Sequence, residues 1–469
     1  MIGEYTMRLR QKFLQMMSAV LVAASLIPLH ADAAIAVPPG AIGSVTVNSS
    51  TTFYYDTPTS GGAAAMWEEA AKADTATVKL YADWSAKDGS ILAAEGKDGA
   101  FAGALCIPSG SEITIDLNGF IIDRKLDLAM EHGEVIYVEN GATLNLTDTS
   151  GTHRGQITGG YSIESAGGIH VENGGKINFW GGTISGNRTE TSGGGIFLAG
   201  ADSYLYMTGG TVSGNEAGVS GGGIAVVDGT MRVIAGEFSG NTTGATGGGI
   251  YIQGGTADLS GCKVTGNQAL AGGGICTNAD AVLMLKDGTS VQKNSLVAKE
   301  VPEDVTTDAT STMECIGGGI FAMSAQPIRL SGAPVVSMNT NELGRQSNLV
   351  LYAETDRIYT EGRLADEGVS PKAKIGLSFA GGSERDHMLG SNWAQQGIFS
   401  MDATEFSLLE EEGVLYLRRP ASLPGAWFFV LIGCGTALIL SVIAFFVLRT
   451  VYKKRKKKHH RKKKKVQAQ

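Results

Sequence analysis

Two glutamates hold matching places in a repeated phrase, "VENG": Glu139 and Glu172. Stacked one above the other, two carboxylates could attract Ca²⁺, which prefers clustered oxygens. The same place in later copies of the phrase is taken by Ala199, Val227, Gln253 and Asn278, so no third acid completes a site. His132, His153, His170 and His387 stand apart along the chain and form no readable acid–base couple. Cys106, Cys262, Cys276 and Cys315 lack Cys-x-x-Cys spacing, so neither zinc nor a dense disulfide scaffold is indicated. A Cys262–Cys276 or Cys276–Cys315 bridge stays open. No catalytic residue, metal or cofactor is assigned, and an enzyme is not expected. A different chemistry sits right after each of a series of isoleucines, where the chain reads Tyr137, His170, Phe197, Ala225, Tyr251, Cys276 and Phe321. Aromatic faces can stack on a ligand and anchor protein contacts, which makes Tyr137, His170, Phe197, Tyr251 and Phe321 the ligand-binding candidates.

For those side chains to share one face, the chain must return to the same place at a fixed interval, and it does. "TSGGGIFLAG", Thr191 to Gly200, comes back as "VSGGGIAVVDG", "ATGGGIYIQGG", "LAGGGICTNAD" and "CIGGGIFAMS". The anchoring isoleucines are Ile136, Ile169, Ile196, Ile224, Ile250, Ile275 and Ile320, with steps of 33, 27, 28, 26, 25 and 45 residues. A second mark keeps the same rhythm: "ISGN", "VSGN", "FSGN", "VTGN", "VQKN" and "VSMN" end at Asn187, Asn215, Asn241, Asn267, Asn294 and Asn339. Two marks of one period define a solenoid. Within a unit the pattern alternates as a strand does, with Ile196, Leu198, Leu205 and Met207 on one side and Tyr204 and Tyr206 on the other. Three short strands fill such a unit and leave no room for a helix, so the fold expected is an all-β, single-stranded, right-handed parallel β-helix. Glycine suits its corners, because it reaches φ > 0 and brings no Cβ where coils stack backbone on backbone. Two readings of the asparagine column stand: an amide ladder running from coil to coil, or a turn residue after glycine. About 12 coils, ~4.8 Å apart, are expected.

"GGGI" paired with "FSGN", Phe238 to Asn241, resembles the GGA-[ILV] and F-x-x-N repeats of polymorphic outer-membrane proteins, a family of adhesins. The other copies put Ile or Val where that family has Phe. "ITIDLNGFII", Ile113 to Ile122, is similar to the first coil of many bacterial pectate-lyase-like β-helix surface proteins. The resemblance covers roughly residues 75 to 418 and implies a fold rather than an activity. The acid pairs and Gly-His-Gly of the galacturonan hydrolases sharing that fold are absent. The adhesins end in a membrane β-barrel, for which a single apolar segment stands in here.

The ends read as addresses. Residues 1–33 have the basic start, apolar run and small-residue "ADA" of a signal peptide. Residues 34–74 form a flexible lead-in and an N-terminal cap, with "AAAMWEEAAKAD" as a short helix plugging the stack. The β-helix occupies 75–418 and carries an insertion loop at 295–315. "LVLYAETDRIYTEG" and "FSLLEEEGVLYLRR" are expected to close it as irregular coils. A juxtamembrane stalk at 419–426 leads to an uncharged apolar segment, 427–448, long enough to cross a bilayer as one C-terminal transmembrane helix. "LPGAW", Leu423 to Trp427, falls short of a sortase signal, so retention in the membrane is expected. Gly433, Ala437 and Ser441 form a small-residue face that can pair two such helices weakly. The polybasic tail 449–469 stays cytoplasmic by the positive-inside rule, which puts the N-terminal part outside the cell. Without the tail and signal, the exported part has a formal charge of about −21, unsuited to nucleic acid. The function expected is adhesin-like binding of an extracellular glycan or protein along the solenoid, against polysaccharide cleavage or a passive spacer.

Overall fold

The computed structural model describes residues 36–56, 62–85, 104–278, 280–297, 317–351, 358–362, 364–365, 372–379, 387–389, 397–402, 407–411 and 414–418. The expected signal peptide, stalk, membrane segment with its Gly433, Ala437 and Ser441 face, and basic tail lie outside these residues. So does the insertion from residue 298 onward. Among the described residues no helix is long and apolar enough to cross a membrane. Residues up to Ala41 form a separate unit, described only as a turn in which Ala41 N–H donates to Pro38 O at 3.2 Å. All that follows concerns the second unit.

The repeat folds as an all-β parallel solenoid of about 9 turns. In one coil the chain runs through Ile196–Ala199, Tyr204–Met207 and Thr211–Ser213, then a two-residue strand, Glu216–Ala217, before entering the next coil at Ile224. Each strand pairs in parallel with its counterpart one coil on, so that Ile196 sits opposite Ile224 and Ile224 opposite Ile250. The same register takes Ile136 to Ile169 and Ile275 to Ile320. Ile196, Leu198, Leu205, Met207 and Val212 are fully buried in one continuous core, as period-two alternation dictates. The fourth strand was not expected. It builds a sheet of its own from Tyr161–Ser162 to Ser295–Leu296, so the first residues of the expected insertion belong to the coil.

Each glycine of the triplet has its own steric reason. Gly193 has φ +79, and a Cβ there would lie 2.6 Å from Ile196 O. At Gly194 and Gly195 a Cβ would meet the carbonyls of Gly222 and Gly223 in the next coil at 2.4 and 2.6 Å. Ile196 N–H donates to that same Gly223 carbonyl at 2.9 Å. Backbone therefore lies on backbone at this corner.

The asparagine column is a ladder. Asn241 donates both its backbone N–H and its Nδ2 to Asn267 Oδ1, at 2.9 and 3.0 Å, and its Nδ2 also reaches Val212 O at 2.9 Å. Asn187, Asn215, Asn267, Asn294 and Asn339 repeat the pattern towards the next rung. All are buried. The rung after Asn339 is Asn348, which sequence reading missed. It stands in "QSNLVL" at the corner that glycine holds elsewhere, since Ile320 N–H donates to its carbonyl at 2.7 Å. Asp402 ends the row, accepting from Asn348 N–H and Nδ2 at 2.6 Å each.

Both ends of the stack differ from expectation. The lead-in is a hairpin, Ala41–Val47 with Ser50–Tyr55, whose two turn residues Asn48 and Ser49 have φ 49 and 64. Its first strand pairs antiparallel with Thr75–Leu80. The expected helix is present as Gly62–Ala71 and buries Met66, Trp67 and Ala70 against the core. At the far end, Leu349–Leu351 and Ile358–Thr360 do join the coils, but "FSLLEEEGVLYLRR" does not. Ser407–Glu411 and Val414–Arg418 pair antiparallel, with His387–Leu389 alongside. Part of 75–418 is thus a terminal sheet, which with the 45-residue step reduces about 12 coils to about 9.

Replacing Asn241 by Ala should cost about 2–4 kcal/mol, because both donors of Asn215 lose their acceptor in a dry interior. Urea denaturation measures this; a cost under about 0.5 kcal/mol would mean that the column is only a row of turn residues.

Candidate functional site

The candidate column is real as a register and wrong as an open surface. Tyr137 pairs with His170, His170 with Phe197, Phe197 with Ala225, Ala225 with Tyr251, Tyr251 with Cys276 and Cys276 with Phe321. Cys106 extends the column before Tyr137, and Val350 after Phe321. Yet Tyr137, Tyr251 and Phe321 are only 4, 6 and 2% exposed, while His170 and Phe197 are half-buried. Ala225, Tyr251, Cys276, Phe321 and Val350 form a second apolar cluster with Ala271 and Leu296, which belong to the returning chain. Alternation shows which side chains point away from the core; it does not show that another stretch of chain lies over them. The corner folds back so closely that a Cβ on Gly193 would touch Phe197 Cβ at 2.8 Å. The rings also contact each other: Tyr137 stacks on His170 at 4.9 Å between centroids, and His170 meets Phe197 tilted at 5.4 Å.

The N-terminal end of this column gathers polar groups that looked scattered in the sequence. His132 and His170 are not isolated, since they flank Tyr137, with the His132 ring edge-on at 6.4 Å. Tyr137 Oη donates to Glu172, and Cys106 Sγ lies 3.3 Å from Glu139 Oε1. Ser109 N–H donates to the other Glu139 oxygen at 2.6 Å. Burial and these carboxylates hold the Tyr137 hydroxyl and Cys106 thiol protonated, well above their usual ranges. The two glutamates are thus occupied as acceptors. Among the described residues no group of three or more His, Cys, Asp or Glu side chains could hold a metal ion. His153 lies apart in an exposed turn with φ 49, and His387 in the terminal antiparallel sheet.

The excursion that brings His132 here runs from Arg124 to Glu134. Arg124 is buried, and its guanidinium donates to the carbonyls of His132 and Glu134. Burial lowers that guanidinium to about 10. Met130 bridges Ser162 of the next coil, and Gly133 passes so close to Tyr161 O that a Cβ would lie 1.9 Å away. No periodic mark in the sequence announces this cluster, because it exists only once.

An open face lies on another side of the coil, on the sheet from Thr75–Leu80 to Ile358–Thr360. Tyr204 and Tyr206 point outward there, as alternation predicts, and are half-buried. Lys176 and Thr230 flank Tyr204; Asn178 and Arg232 flank Tyr206. Trp180 follows the neighbouring strand and is 46% exposed. Asn178 Nδ2 donates to Asn145 Oδ1 at 2.8 Å, and Asn145 Nδ2 to Glu112 Oε1 at 2.8 Å, so a polar row leads up to the rings. Among the described residues, Lys176 and Arg232 make no ion pair, whereas Lys286 holds Asp258 at 2.8 Å.

The chain matches no protein-family model, no curated protein and no solved structure.

Phe321→Ala should destabilise the protein by about 3–5 kcal/mol, as expected of a ring removed from a packed cluster. A thermal melt checks it; an unchanged melting temperature would restore the column as a surface.

Proposed function

We propose that the solenoid binds an extracellular glycan on its open first sheet and is held at the cell surface by the apolar segment 427–448. The observation carrying this reading is the exposed Trp180 with half-buried, outward-facing Tyr204 and Tyr206 beside the polar Asn178 and Thr230. Exposed ring faces beside polar side chains suit sugars, which present apolar C–H faces and hydroxyl edges. Lys176 and Arg232 favour a glycan bearing carboxylate or sulfate groups, since neither is neutralised by an ion pair among the described residues. The buried column of Tyr137, Tyr251 and Phe321 is assigned to stability instead. The adhesin-type "GGGI" and "FSGN" phrases, the right-handed β-helix they imply and the signal-like N-terminus support display outside the cell. The reading is one of binding, not catalysis.

Residues 34 to 420, applied to a glycan array, should retain acid-bearing glycans. Trp180→Ala and Tyr206→Ala should each weaken binding about tenfold, a loss of ~1.4 kcal/mol, without changing the circular dichroism. Binding by both variants as tight as by the unaltered protein, or no binding by the unaltered protein, would sink the proposal.

A further inference from the structure

The excursion from Arg124 to Glu134 contains a charge contact that the rest of the fold does not require. Glu134 is 2% exposed, and its Oε1 has no hydrogen-bond partner. The nearest cationic group is His132 Nδ1 at 3.7 Å, too far for a hydrogen bond and close enough for strong charge attraction at a buried site. His132 itself has φ 53, a left-handed conformation that a non-glycine residue adopts at a cost. We propose that His132 and Glu134 form a proton-operated clasp: protonated His132 holds the excursion over the Cys106–Tyr137–His170 end of the ring column, and its deprotonation loosens that cover.

The surroundings favour the charged clasp. Glu131 and Glu164 also act on His132, and Tyr137 lies edge-on to it with His170 stacked behind. Glu139 and Glu172 add two more carboxylates around Tyr137 and Cys106. The other cation in the cluster, Arg124, donates to the His132 and Glu134 carbonyls rather than to the carboxylate. Neutral His132 therefore leaves the buried Glu134 carboxylate with Arg124 as its remaining close positive charge and an Oε1 that accepts no hydrogen bond, which is costly. Glu134 raises the proton affinity of His132 above the ordinary histidine value, more than burial lowers it.

The sign follows by linkage. A raised folded-state value gives a contribution present in full below the unfolded value, about 6.5, and lost as pH rises through the folded one. His170 runs the other way, since burial lowers its proton affinity, and its contribution is lost on acidification below about 6.5. Above that pH His132 is joined towards 8.5 by the thiols of Cys106 and Cys262, which burial holds protonated in the fold, so the share of His132 is the part of the slope that His132→Gln removes. The full chain should therefore lose about 2–4 °C in melting temperature between pH 6.5 and 8.5, and His132→Gln and Glu134→Gln should both flatten this slope. Hydrogen exchange at the Met130 amide, which is bonded to Tyr161 O at 3.1 Å, should rise over the same window relative to His132→Gln. Should the variants fail to fold, the imidazole resonances of the unaltered protein decide: titration of His132 above 6.5 supports the clasp, and titration at or below it overturns it. A slope unchanged in both variants overturns it equally.

Discussion

The close approach of one glycine corner to the next is the constraint on which the rest depends. Gly194 and Gly195 lie under the carbonyls of Gly222 and Gly223 with no room for a Cβ, and Gly222 and Gly223 meet Gly248 and Gly249 in the same way. A slip of one residue would put a side chain into that gap and turn every inward isoleucine outward. Register is therefore set once per coil by sterics and then reinforced by burial. Ile196, Ile224, Ile250 and Ile275 stack because their preceding glycines can stack in no other way.

The asparagine ladder turns this register into a direction. In every rung the backbone N–H and one Nδ2 hydrogen point towards the C-terminal coil, while the Oδ1 faces the N-terminal one, where the other Nδ2 hydrogen meets a backbone carbonyl. Such a row ends with unpaired acceptors at one end and unpaired donors at the other. At its start Asn187 Oδ1 accepts from Gly160 N–H at 3.2 Å. At its finish Asp402 offers only oxygens, the chemistry that two unpaired donors need, and a negative charge suits the positive end of aligned dipoles. Burial raises the proton affinity of Asp402, and the donors from Asn348 and Ser378 work against that rise. The stack also needs an apolar stop, which Met66, Trp67 and Ala70 supply at the N-terminal end.

Features with a period or composition long enough to read were legible in the sequence, and short or singular tertiary ones were not. The isoleucine and asparagine columns, the inward set of Leu198, Leu205 and Met207, and the helix at Gly62–Ala71 all follow from period and composition. The strand Glu216–Ala217 escaped because two residues cannot display alternation. The Arg124–Glu134 excursion escaped because it has no second copy, and Asn348 because its rung follows Asn339 by nine residues rather than a full coil. The hairpin turn at Asn48 and Ser49 lacks the glycine that marks such turns most clearly. The candidate column fared in between: Tyr137, His170, Phe197, Tyr251 and Phe321 share one register as expected, but cover by Ala271 and Leu296 is a tertiary fact invisible to a local pattern.

The same contrast separates what the fold demands from what it leaves open. A column held by stacking must repeat its chemistry, since each rung is the partner of the next. The buried asparagines do so. The outward column of the first sheet runs Asn145, Asn178, Tyr206, Arg232, Asp258, Met284, Arg329 and Tyr359, changing character at almost every coil. Its backbone register is as strict as any other, so this variety is not looseness of structure. It means that nothing in coil stacking dictates these side chains. Chemistry that the scaffold does not need has room there, on a sheet whose inward side chains are fixed in the core.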